Sequence, residues 1–129
     1  RGEGVGCVTC EHKACAGATA EVFCTLLGSA VRHDGRSASL TAPNGSAQSS
    51  LVRLACSSAS LKLAAQTLAI ELHGTGTQLG DPTEARALGH ALGGSGAKLS
   101  AVATVGGIKA VVGHLEPVAG MVGLVSCLS

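Results

Sequence analysis

Aromatic side chains are almost missing from this 129-residue chain: there is no tryptophan, no tyrosine and one phenylalanine, Phe23. Nine lysines and arginines against eight acids leave no basic stripe, and no rings are available to stack on bases, which argues against nucleic-acid binding. The same shortage shapes the core, which must be assembled from Leu, Val, Ile and Ala, residues that bury less area than aromatics do. Long apolar runs are missing too. The longest, from 117 to 128, falls well short of the roughly 20 residues that span a bilayer and reads as a helix buried on most faces, so no membrane role is expected. What the chain does have is glycine, 19 of them, many at turn positions. Its six cysteines, at 7, 10, 15, 24, 56 and 127, sit in an apolar α/β pattern that favours reduced thiols over a disulfide framework. The chain opens at Arg1 in a glycine-rich approach to a strand and stops at Ser129 without a polar cap, so a piece of a larger domain is expected and a missing targeting signal carries no weight.

Taken in order, Val5-Gly6-Cys7-Val8-Thr9-Cys10 and Val22-Phe23-Cys24-Thr25-Leu26-Leu27 read as two short strands forming an antiparallel pair. Residues 28 to 45 form a long polar loop, of a length that often serves function. From Ser46 to about Leu63, Ala47, Leu51, Leu54, Ala55, Ser58 and Leu61 share one helical face. A strand over 67–72, a helix from Pro82 to about Leu92 and an apolar run from Leu99 to about Val105 follow, the last interrupted by Gly106-Gly107. Lys109 to Glu116 reads as loop, and a final helix starts near Pro117. This order predicts an α/β fold with a largely parallel sheet covered on both faces.

The segment Leu72-His73-Gly74-Thr75-Gly76-Thr77-Gln78-Leu79-Gly80-Asp81-Pro82 joins the predicted strand to the helix after it. Asp81 can cap that helix, Pro82 suits its first position and Glu84 completes a capping pattern. His73 therefore stands where a buried strand ends, beside two threonine hydroxyls on a glycine turn. Such strand ends are where open α/β sheets carry chemistry. His114 likewise follows the next apolar run, and in a parallel sheet the two imidazoles reach the same edge. A dinucleotide loop does not fit, because glycine is required where Leu79 stands and no Gly-Lys-Ser/Thr occurs anywhere. Cys7, Cys10, His12 and Cys15 include a zinc-like spacing, but strand alternation sends Cys7 and Cys10 to opposite faces and no second Cys-x-x-C is present, so no metal is expected.

His73-Gly74-Thr75-Gly76-Thr77 with Leu79-Gly80-Asp81-Pro82 resembles the first histidine motif of ketosynthases, the β-ketoacyl synthase domains of polyketide synthases. Lys109, five residues before His114 in Gly113-His114-Leu115-Glu116, resembles that family's lysine and second histidine motif. Gly2-Glu3-Gly4, Gly28-Ser29-Ala30-Val31, Asp34-Gly35-Arg36-Ser37 and Leu40-Thr41-Ala42-Pro43-Asn44-Gly45 match it upstream in the same order. The resemblance implies a thiolase-like α-β-α-β-α sandwich, with residues 1–129 as its C-terminal half only, a partial ketosynthase domain without the nucleophile-bearing portion. It implies an acyltransferase that condenses an acyl thioester with a decarboxylating malonyl-type extender. In that chemistry His73 and His114 donate hydrogen bonds to the enolate oxygen, Lys109 supports the site electrostatically, and Thr75 and Thr77 bond the amides of a pantetheine arm. An imidazole, with an ordinary pKa of about 6.5, is readily kept neutral by burial. No cofactor is bound directly; the phosphopantetheine arm of an acyl carrier protein delivers the substrates. That carrier, acyl and malonyl thioesters, a second copy in a homodimer and a cytoplasmic location are the implied context.

Departures from the family pattern include Arg32-His33 where Asn-Gln is common, and Ala110-Val111-Val112 where Ser-Asn-Ile commonly follows the lysine. Leu54-Ala55-Cys56-Ser57-Ser58-Ala59 looks like the family's nucleophile motif, but it falls in the wrong order and inside a predicted helix, where the field that lowers a thiol pKa is absent. Cys56 is therefore expected to be a small core residue. The alternatives are a fatty acid synthase ketosynthase and a non-catalytic ketosynthase-like scaffold or dimerisation segment.

Overall fold

The computed structural model describes residues 2–15, 17, 21–35, 42–61, 69–93 and 104–128. Helix α1 spans Gly45–Ser58 and is started by Asn44, whose side chain accepts the Ala47 amide at 3.1 Å, meeting one of the donors that a helix start leaves open. The same side chain donates to the Asp34 carbonyl at 2.8 Å and so ties the far ends of the intervening segment. The helix stops at Ser58, short of the expected Leu63. Ser60 turns left-handed at φ 54, and the Ser58 hydroxyl bonds the Ala55 carbonyl at 2.8 Å. Hydroxyls that satisfy local backbone in this way compete with helix continuation.

Strand β1 (Ala69–Glu71) pairs in parallel with β2 (Thr104–Gly106), in the register Ala69↔Thr104, Ile70↔Val105 and Glu71↔Gly106. The Leu72 amide carries the ladder one step further, to the Gly106 carbonyl at 2.9 Å. Helix α2 (Gly80–Gly93) lies between them in sequence, as the crossover that a parallel pair requires. Its main partner is α1, and the buried side chains are small: Ala47 on α1, then Ala87, Ala91 and Leu92 on α2. Ala87 and Ala91 lie one turn apart and so share one face of α2. Arg53 of α1 donates to the His90 carbonyl in the last turn of α2, where backbone acceptors lack helical partners. After β2 come a short helix α3 (Lys109–Val112), a 3-10 turn over Glu116–Val118 containing Pro117, and α4 (Ala119–Ser126). Helix α4 lies against β1, with Ala119 and Gly123 buried.

Three further expectations change. The antiparallel pair over residues 5–10 and 22–27 does not form: no strand occurs in residues 2–15 or 21–35, and Val5, Val22, Phe23, Leu26 and Leu27 are exposed. Apolar alternation alone does not hold a strand, which needs a neighbour for its backbone groups, and an isolated hairpin is marginal in water. Instead Gly2, Gly4 and Gly6 bring the chain onto Leu115, Val118 and Met121, so close at Gly6 that a Cβ would lie 2.8 Å from Met121 Cγ. The sheet is not covered on both faces among the described residues, since all of β2 is exposed. Finally, the expected loop from Lys109 to Glu116 contains α3. Most of the apolar run from Leu99 and the start of the 67–72 strand lie outside the described residues.

Candidate active site

His73 stands two residues past β1, in a turn held from one side by acids of α2. Its backbone amide donates to Glu84 Oε1 at 2.6 Å, and the Gly74 amide donates to Glu84 Oε2 at 3.0 Å. The Gly76 amide donates to both carboxylate oxygens of Asp81, at 3.2 and 3.1 Å. Charge-assisted bonds of this kind are the stronger class. Gly74 and Gly76 lie at φ 48 and 75, where a side chain would be strained. This corrects the capping reading of Asp81 and Glu84. Helix α2 begins one residue before Asp81, and it is Thr77 Oγ1 that accepts the Gly80 amide, at 3.0 Å. Both carboxylates take loop amides instead, so the first turn of α2 shapes the His73 loop.

His114 follows Gly113, which caps α3 at φ 76. Its Nδ1 accepts the Glu116 amide at 3.0 Å, and Glu116 reaches that geometry with a left-handed φ of 51. With Nδ1 an acceptor, the neutral ring carries its proton on Nε2, which is left as a donor. The Gly2 amide donates to the His114 carbonyl at 3.2 Å, so the chain's first segment also braces this loop.

The two rings meet edge-on, with centroids 5.5 Å apart and planes at 89°. The parallel pairing of β1 and β2 is the cause, because it delivers both loops to one edge. His73 is exposed and His114 half-buried, so the burial expected of the pair is partial. Beside them runs a cleft of about 370 Å³ lined by Glu71, His73 and Lys109, with Ala119, Gly120 and Gly123 as its α4 wall. His114 touches His73 but does not line that cleft. Thr75 Oγ1 lies 3.4 Å from Thr77 Oγ1, and Thr77 is committed to capping α2 while keeping its own hydroxyl proton. A larger cleft of about 480 Å³ lies between α1 and α2 and includes Arg53, Arg86 and His90, but neither histidine of the pair lines it.

Sequence reasoning missed Glu71 and the loop-holding work of Glu84. Glu71 Oε1 accepts the Ile108 amide at 2.7 Å, next to Lys109. Nothing in the spacing distinguishes such a side chain from any strand-end glutamate. Cys56 lies within α1, half-buried, and burial pushes its thiol pKa up, the opposite of what a nucleophile needs. Cys7, Cys10, His12 and Cys15 do not gather into a metal-holding group; His12 Nδ1 accepts the Ala14 amide at 3.3 Å. No helix among the described residues is long and apolar enough to cross a membrane.

The family profile described as β-ketoacyl synthase, C-terminal domain, matches residues 23–129. The chain is 41% identical over 126 residues to a phenolphthiocerol/phthiocerol polyketide synthase subunit of Mycobacterium tuberculosis, covering 97% of this chain and 7% of that protein. It is 41% identical over 124 residues to polyketide synthase GfsA of Streptomyces halstedii, covering 95% of this chain and 2% of that one. Among solved structures, an oxazolomycin ketosynthase domain of Streptomyces albus superposes with a TM-score of 0.76 at 37% identity, over 84% of this chain and 18% of that chain. The ketosynthase from module 6 of the bacillaene synthase of Bacillus subtilis gives 0.75 at 28% identity, over 84% of this chain and 19% of that one. The chain thus spans under a tenth of those curated relatives and about a fifth of those solved chains.

Proposed function

Since the chain belongs to the β-ketoacyl synthase C-terminal domain family and has its thiolase-like fold, we propose that residues 1–129 form the C-terminal portion of a polyketide-synthase ketosynthase and carry its decarboxylation site. The observation that carries this reading is the edge-on meeting of His73 and His114 beside the Lys109 cleft. In the proposed step, the bond between the malonyl α-carbon and its carboxylate breaks and carbon dioxide leaves. The electron pair moves to the thioester oxygen as an enolate. The imidazoles donate hydrogen bonds to that oxygen, His114 through Nε2. Preorganised donors aimed at developing charge contribute about 3 kcal/mol each. The enolate carbon then attacks an acyl thioester, and the new carbon–carbon bond forms as the thiolate departs, which makes the complete protein an acyltransferase.

Lys109, on the same cleft as His73, adds positive potential where the malonyl carboxylate and later the enolate sit. Thr75 and Thr77 offer hydroxyl protons to the amides of a phosphopantetheine arm on an acyl carrier protein. The acyl-bearing cysteine lies outside these residues in this reading, and Cys56, with its raised pKa, does not replace it. Homodimerisation and carrier-protein docking belong to the complete enzyme. The test uses that complete protein: carbon dioxide release from a malonyl thioester is measured for His73→Ala and His114→Ala. Each is expected to fall by about 100-fold or more, as when one oxyanion donor is removed. Full activity in either variant removes the assigned role.

A further inference from the structure

We propose that Glu71 is a positioning residue: by accepting the Ile108 amide it sets Lys109 and His114 against His73, an inference that rests on the ketosynthase reading above. Glu71 closes β1, two residues before His73, and faces Gly106 in the parallel register. Its Oε1 takes the Ile108 amide at 2.7 Å across the two motif loops. Ile108 is the residue before α3, and its own side chain makes no capping hydrogen bond to that helix. Helix α3 has four residues, too few to hold itself by its own backbone bonds. Its first residue is Lys109, and its last leads through Gly113 into His114. One carboxylate on the His73 strand therefore anchors the start of the segment that carries the other two groups. The stem of Glu71 is itself held, because buried Gly123 of α4 comes so close that a Cβ there would lie 3.3 Å from Glu71 Cγ. The role is geometric. A second way for Glu71 to act would be through its charge, since it lines the same cleft as Lys109.

Two substitutions in the complete ketosynthase separate these. Glu71→Gln keeps the oxygen and its reach but loses the charge; Glu71→Asp keeps the charge but falls one methylene short. For each, amide hydrogen exchange over residues 107–114 and the kcat and KM for carbon dioxide release from a malonyl thioester are measured. Glu71→Gln is expected to stay near wild type in both. Glu71→Asp is expected to speed exchange at Ile108 and to lower kcat about 10-fold or more with KM unchanged, since misplacement by about 1 Å is enough for such a loss. Wild-type exchange in Glu71→Asp, faster exchange with unchanged kcat, or a loss confined to Glu71→Gln would each overturn the positioning role alone. A wild-type protein that releases no carbon dioxide overturns the ketosynthase reading and the role with it, even if exchange responds as expected.

Discussion

Gly76 has φ 75, and nothing lies within 4 Å of where its Cβ would be. The demand for glycine there comes from the backbone and not from crowding. Gly76→Ala is therefore expected to lower stability by about 1–2 kcal/mol, the left-handed penalty for a residue with a Cβ, read as a shift in the urea midpoint without a change in slope. Cys56 gives a second check at this scale. Burial disfavours its thiolate, whereas Cys7, Cys10, Cys15, Cys24 and Cys127 are exposed. Under native conditions at mildly alkaline pH, Cys56 should be the slowest of the six to be alkylated by iodoacetamide, as followed by peptide mass spectrometry. The folded-state pKa is raised, so the sign is fixed: the thiol form is stable at and below neutrality, and stability falls as pH rises past the ordinary thiol range. Equal alkylation rates at all six would show that α1 does not protect it. Both histidines were picked out because their motifs resemble those of ketosynthases; strand order added only that the two loops reach one edge of a parallel pair, where the rings do meet. Glu71 could not be picked out, because its partner is a backbone amide 37 positions away and amides carry no sequence label.

Elements make this site by holding loops more than by supplying reactive groups. The first turn of α2 presents Asp81 and Glu84 three positions apart, and together they hold the amides of His73, Gly74 and Gly76. In sequence this is indistinguishable from a capping pattern, because both use acids at the start of a helix. Only the position of the start, at Gly80 behind the Thr77 cap, separates the two. Glu84→Ala would leave two amides without an acceptor beside His73. A loss of about 2 kcal/mol is expected, since bonds to charged acceptors contribute about 1.5–3 kcal/mol and these are partly solvated. Circular dichroism at α-helical wavelengths should stay near wild type below the transition, because α2 keeps its Thr77 cap. At α1 the cap went unread in the sequence: Asn44 Oδ1 accepts the Ala47 amide, and Asn44→Ala should cost about 1 kcal/mol. The end of α1 was not legible, because the apolar face continues to Leu61 while Ser58 and Ser60 already turn the chain.

Across the whole molecule, the described residues bury little. The buried apolar side chains are Ala47, Ala87, Ala91, Leu92 and Ala119, while Val5, Phe23 and Val31 are 97%, 85% and 99% exposed. The apolar runs over 5–10 and 22–27 satisfy a strand pattern, yet no described strand edge receives them, so pattern without a partner misled the sequence reading. Exposed apolar surface of this extent marks an interface or a tendency to associate. The 129-residue polypeptide expressed by itself should therefore bind a hydrophobic dye such as ANS without denaturant and sediment as a concentration-dependent mixture of species. Its thermal transition should be broad, because α1–α2 and the β1–β2–α4 region share few covered side chains that would make them melt together. On the proposed ketosynthase reading, the complete protein should bind little dye, with the cover for Phe23 and its neighbours supplied from outside residues 1–129. A monomeric polypeptide with one sharp transition and no dye binding would mean that these side chains find cover within the 129 residues themselves.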